Sequence, residues 1–126
     1  MGKAAGLETL EAWKVARKMR QEISKLSKTF PQYEQYRLTD QIIRSSRSVS
    51  ANIAEGYGRF HYKESMQACR IARGSLVETL EHLITAHDEK YITEQQLLEQ
   101  RAINDHCQKL INGYVAFLRS RLSPPK

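Results

Sequence analysis

A chain of 126 residues has the length of one ordinary domain and buries roughly two-thirds of its unfolded surface, enough for a core without disulfide or metal staples. Its apolar fraction is a lean 40%, and a net charge of +6 with a pI near 9.5 admits nucleic acid or an acidic protein as partner without requiring either. No run of about 18 apolar residues exists, which excludes a membrane-spanning helix, and Met1–Gly6 lacks the apolar stretch of a secretory signal, so a cytoplasmic location is expected.

Proline occurs only at positions 31, 124 and 125, which leaves long stretches free to show their period. The first predicted helix covers about 8–27. Ala12, Ala16, Met19, Ile23 and Leu26 step by fours and threes, Leu10 and Trp13 widen the stripe, and Phe30 continues it past the helix end. Pro31 closes the region, because the residue before proline disfavours the α conformation.

The second predicted helix covers about 35–55. Leu38, Ile42, Val49 and Ile53 share one stripe, with Ser46 in the step between Ile42 and Val49. Residues 45–52 are rich in small side chains, although serine is a mediocre helix former. Such a stretch suits the close approach of another backbone. Ser45, Ser48, Ala51 and Asn52 are therefore candidate helix-packing or oligomer contacts. Gly56 fits the position just past the helix, where a left-handed conformation needs no Cβ.

The third predicted helix covers about 63–88, with Met66, Cys69, Ala72, Leu76, Leu80 and Leu83 as its stripe. Gly74 sits mid-helix at a cost of about 1 kcal/mol relative to alanine, and is read as a close helix crossing. The fourth covers about 94–121. Thr93 is a candidate N-cap, with Gln96 as its capping-box partner. Ile103, Cys107, Leu110, Tyr114 and Phe117 form its stripe, broadened by Leu97, Ile111 and Leu118. The tail, Ser123–Lys126, is expected to fray. Four long helices with short connections predict an all-α fold, an antiparallel up-down-up-down four-helix bundle in a single domain.

Charge is unevenly spread. Residues 37–73 carry seven basic groups against three acidic ones, residues 74–105 carry two against seven, and residues 106–126 carry basic groups alone. On an antiparallel bundle the end of helix two, the start of helix three and the end of helix four share one basic pole. Either this asymmetry is only a solvated surface, or the pole meets phosphates or an acidic protein. In the second case Arg44, Arg47, Arg59, Lys63, Arg70 and Arg73 are the contacts, interleaved with Tyr57, Phe60, His61 and Tyr62. Aromatic rings beside arginines suit stacking on unpaired bases; Tyr57 and Phe60 equally suit packing of the turn.

Catalytic signatures are missing. Gly74-Ser75 lies within a helix and lacks a nucleophile elbow. Gly56-Tyr57-Gly58 lacks the third glycine and preceding strand of a dinucleotide fingerprint. No histidine has a glutamate three residues before it, as a di-metal bundle requires. The expectation is a non-enzymatic protein without cofactor or metal. Cys69 and Cys107 fall inside helical patterns and read as buried, reduced thiols.

The run from Arg44 to Arg59, with Ala51-Asn52-Ile53-Ala54-Glu55-Gly56 at its end, resembles the signature of a bacterial family. This is the four helix bundle proteins, encoded by reading frames in intervening sequences of large-subunit ribosomal RNA genes. Phe30-Pro31 and Ala72-Arg73-Gly74-Ser75-Leu76 with Glu78 match as well, and the resemblance spans about 7–120. The family often has proline where Ser50 stands here. The resemblance implies a ring-like homopentamer of bundles and no catalytic residues. The chain is also similar to the basic, pentameric accessory protein of diversity-generating retroelements, which implies engagement of nucleic acid and a reverse transcriptase. Three functions stay open on the sequence: an assembly that binds RNA or DNA, a scaffold that docks an acidic or nucleic-acid-processing protein, and a core pocket for a small molecule or metal.

Overall fold

The computed structural model describes residues 6–122, so the expected frayed tail lies outside the described residues. After a 3-10 turn at Leu7–Thr9, four helices follow: α1 Glu11–Ser27, α2 Leu38–Gly58, α3 Tyr62–Asp88 and α4 Glu94–Leu122. A second 3-10 turn, Gln32–Glu34, lies between α1 and α2. Each helix packs on its neighbours in sequence, and α1 closes the arrangement against α4. The result is an all-α, antiparallel four-helix bundle. The most extensive helix pair is α2 with α3.

The core follows the predicted stripes on α1 and α2. Ala12, Ala16, Met19 and Ile23 are buried on α1, and Leu38, Ile42, Val49 and Ile53 on α2, with Ser46 fully buried among them. Phe30 is buried just beyond α1, where its ring packs 5.7 Å from Tyr91. The Thr93 capping box is present: the Gln96 backbone N–H donates to Thr93 Oγ1 at 3.1 Å, and the Thr93 N–H donates to Gln96 Oε1 at 2.8 Å.

Four expectations need correction. Gly56 does not leave the helix: no described glycine has positive φ, and α2 runs on to Gly58 before Arg59 turns extended. What demands glycine at 56 is proximity to α3 instead. Gly74 is not a close crossing within the chain, since a Cβ placed there would meet nothing within 4 Å. On α3, Thr79 and not Leu80 takes the core position. Its hydroxyl is satisfied by the Ser75 carbonyl at 2.9 Å and Ser45 Oγ at 2.8 Å, so a polar residue is buried without an orphaned group.

On α4 the core face is rotated from the expected stripe. Leu97, Gln100, Asn104, Cys107, Ile111, Val115 and Leu118 are buried, while Phe117 is 53% exposed. The physical reason is again hydrogen bonding. Asn104 Nδ2 donates to the Leu76 carbonyl at 3.0 Å, and Gln100 Nε2 donates to Glu22 Oε1 at 3.0 Å, so both amides face the bundle, with Gln100 Oε1 buried and lacking a hydrogen-bond partner.

The α3–α4 turn ends α3 on a non-glycine left-handed residue, Lys90 at φ 67°. The Lys90 N–H donates to the His87 carbonyl at 2.9 Å and the Tyr91 N–H to the Ala86 carbonyl at 2.8 Å, the paired bonds of a Schellman motif. The Tyr91 hydroxyl then donates to Glu34 Oε2 at 2.7 Å, tying this turn to the α1–α2 connection. The hydroxyl's hydrogen bonds with Tyr33 and with Glu34 raise the Tyr91 phenol above its ordinary pKa.

Candidate nucleic-acid interface

The small-residue stretch of α2 is divided among three neighbours. Ser45 and Ser48 face α3, where Ser45 Oγ meets Thr79 Oγ1 and Ser48 Oγ meets Ser75 Oγ, both at 2.8 Å. Asn52 Nδ2 folds back onto the Ser48 carbonyl at 2.8 Å and Ser48 Oγ at 3.0 Å. Ser46 fills the core. Ser50 faces α1, and its hydroxyl accepts a hydrogen bond from Arg20 Nε at 3.1 Å. Ala51 is exposed and takes no part in this packing.

The six arginines and lysines singled out on the sequence do not converge on one pole. Arg44 and Arg47 are exposed near the middle of α2. At a rise of about 1.5 Å per residue, Arg47 stands about 16 Å along the helix from Gly58. Arg59 is ion-paired with Glu55. Lys63 is exposed in the first turn of α3. Arg70 Nη1 donates to Gln67 Oε1 at 3.2 Å, and Arg73 Nη1 reaches across to α4 and donates to Asn112 Oδ1 at 2.9 Å. Of the aromatics, Phe60 is 90% exposed, with the His61 ring edge-on at 5.0 Å, so it does not pack the turn.

A concentrated cationic site forms elsewhere. The second half of α1 and the middle of α2 enclose an open groove of about 390 Å³ lined by Arg20, Gln21, Ser24, Lys25, Lys28 and Arg47, with no carboxylate in the lining. Only Arg47 of this set was a sequence candidate. The others do not stand out in charge counted along the chain, because the groove joins residues of two helices. A signal was present: Arg20, Ser24 and Lys28 lie four apart, in one row of α1. The neighbouring α2–α3 groove is different in kind, because two carboxylates, Glu55 and Glu64, line it against the single cation Arg59. Among the described Lys and Arg residues, only Lys14 and Arg59 pair with carboxylates.

Cys69 and Cys107 are buried free thiols. Burial pushes the Cys107 thiol up to about 12, and raises Cys69 against the opposing pull of Arg73. Among the described residues, no group of three or more His, Cys, Asp or Glu is placed to hold a metal, and no helix is long and apolar enough to cross a membrane.

Fold and surface define an all-α bundle whose distinguishing feature is a cationic groove between its first two helices. The sequence profile of the family described as "23S rRNA-intervening sequence protein" matches residues 8–113, and the chain belongs to that family. Among solved structures it is similar to a protein of unknown function from the S23 ribosomal protein family of Bacteroides thetaiotaomicron. The two share 22% identity with a TM-score of 0.77, over 82% of this chain and 97% of the other, a likeness of fold. No curated protein matches the sequence.

Proposed function

We propose that this chain is a non-enzymatic, homo-oligomeric binding protein of the cytoplasm that contacts RNA or DNA through positive charge on its α1–α2 face. The observation that carries this reading is the groove lined by Arg20, Lys25, Lys28 and Arg47 without a single carboxylate. Cations brought together this way keep their charge for a partner, and a polyanion is the partner that gains most. Arg44 adds charge on the outer side of α2. The family's description, tied to an intervening sequence of 23S rRNA, is in keeping with a role near structured RNA.

Self-association is part of the same proposal. Ile71 and Val77 are 49% and 59% exposed on α3, with Gly74 open between them. Apolar side chains around a bare backbone patch suit a second helix. A pentamer, implied by the family resemblance, would repeat the cationic groove around a ring. Mass in solution tests this directly, and a mass of one chain at micromolar concentration would overturn it.

The binding test is affinity for a short single-stranded RNA as a function of salt. Binding should fall steeply between about 50 and 200 mM salt as counterions are released, and Arg44→Ala with Arg47→Ala should weaken it while leaving the melting temperature in place. No binding at low salt, or binding indifferent to salt, would overturn the reading. If an acidic protein were instead recovered after nuclease treatment, the chain would be a docking scaffold.

A further inference from the structure

The α1–α2 groove contains more than loose surface charge. Arg20 is half-buried, and its Nε donates to Ser50 Oγ at 3.1 Å. The Ser50 hydroxyl in turn donates to the Arg47 carbonyl at 3.3 Å, which fixes the hydroxyl lone pairs toward Arg20. This partner is neutral, so the guanidinium is held in place without losing its charge. With Nε engaged, both Nη groups retain their N–H donors, the planar fork that matches two oxygens of a phosphate.

The groove's shape adds to this. Arg20, Ser24 and Lys28 run about 12 Å along one row of α1, with Lys25 beside them and Arg47 on the facing wall. That row is longer than one anion and suits a chain of them. Arg59 provides the contrast, since Glu55 neutralises it and its groove contains a second carboxylate, Glu64.

We infer that the α1–α2 groove is a phosphodiester-binding site in which Arg20 grips a phosphate and Ser50 is the positioning residue that aims it. The polymer identity of the ligand rests on the nucleic-acid reading above; the anion chemistry of the groove does not.

The test uses the full-length protein with two probes, sodium pyrophosphate and a short single-stranded RNA. Pyrophosphate should shift the Arg20 Nε–Hε resonance saturably. Arg20→Lys keeps the charge but loses the fork, and should weaken pyrophosphate binding about tenfold, the loss expected for a charge-assisted hydrogen bond. Ser50→Ala removes no charge and should weaken it about threefold through lost preorganisation. Replacing Arg119 and Arg121 with alanine lowers the net charge at the far end of α4 and should leave pyrophosphate binding unchanged. Melting curves check that each variant is folded, and Ser50→Ala keeps the test open if Arg20→Lys is not.

An unmoved Arg20 resonance, or both groove variants binding as the parent does, would overturn the inference. If RNA still bound in a salt-dependent way, the nucleic-acid reading would survive with its site elsewhere. If pyrophosphate followed Arg20 and Ser50 but RNA did not bind, the anion site would stand and the nucleic-acid reading would fall.

Discussion

Gly56 of α2 lies so close to Ser65 of α3 that a Cβ added to it would stand 2.9 Å from the Ser65 carbonyl oxygen and 3.1 Å from Ala68 Cβ. The Ser65 carbonyl belongs to the first turn of α3 and cannot swing aside without disturbing that helix, so the helices themselves would have to part. Gly56→Ala is expected to cost about 1–3 kcal/mol, as for overpacking, despite alanine's better helix propensity. Gly74→Ala, in open space, should instead gain about 1 kcal/mol. Urea unfolding of the two variants side by side checks this, and a neutral or stabilising Gly56→Ala would refute the close contact. A Gly74→Ala chain that is stable but loses its assembled mass would place Gly74 in the oligomer contact.

Thr79 and Ser45 form the buried polar link between α2 and α3. Thr79→Val keeps the shape, removes the hydroxyl and leaves Ser45 with only its 3.3 Å bond to the Ile42 carbonyl. The expected loss is about 1–2 kcal/mol. Combining it with Ser45→Ala should cost less than the sum of the two single changes, by about 1 kcal/mol. Strict additivity in a double-mutant cycle would mean the two hydroxyls do not interact.

Lys90 holds a left-handed backbone that its Cβ disfavours by about 1–2 kcal/mol. Lys90→Gly should therefore raise stability by about 0.5–1 kcal/mol after glycine's entropy is offset. The Schellman bonds and the Tyr91–Glu34 link should persist. Thermal melting reads the gain; a fall in the melting temperature would show that the lysine side chain contributes something the backbone argument omits.

Alkaline pH should weaken the fold. The buried Cys107 thiol, ordinarily near 9.0, is pushed up to about 12, and burial raises Cys69 and Tyr114 in the same direction. Between those limits the unfolded chain has already released the Cys107 proton while the folded chain retains it. Stability from this group is therefore complete below pH about 9 and is lost as pH rises toward about 12. Melting temperatures from pH about 8 to about 10.5 should fall, less steeply in Cys107→Ala. The same burial predicts slow alkylation of both thiols at neutral pH until the chain is unfolded, read by mass spectrometry.

The helices of this protein were legible because their signals are local. Apolar residues four and three apart mark α1 and α2, Thr93 and Gln96 cap α4 within one turn, and Pro31 closes the α1 region whatever the rest of the chain does. Hydropathy misplaced the α4 core face because Gln100 and Asn104 are buried by hydrogen bonds to Glu22 and Leu76, partners far away in sequence. The local preferences of glycine mislead at Gly56 and Gly74 for a related reason: both are helical glycines, and only the neighbouring helix distinguishes the crowded one from the open one.

The number, order and approximate lengths of the four helices, and the excess of positive charge, were determined by the sequence itself, since period, breakers and composition act within a few residues. The rotation of each helix about its axis, and with it the meeting of Arg20 with Ser50 beside Arg47, was decided only by tertiary structure. Side chains thirty residues apart become neighbours only when two helices pack, and the fit of their facing surfaces selects which rows face each other.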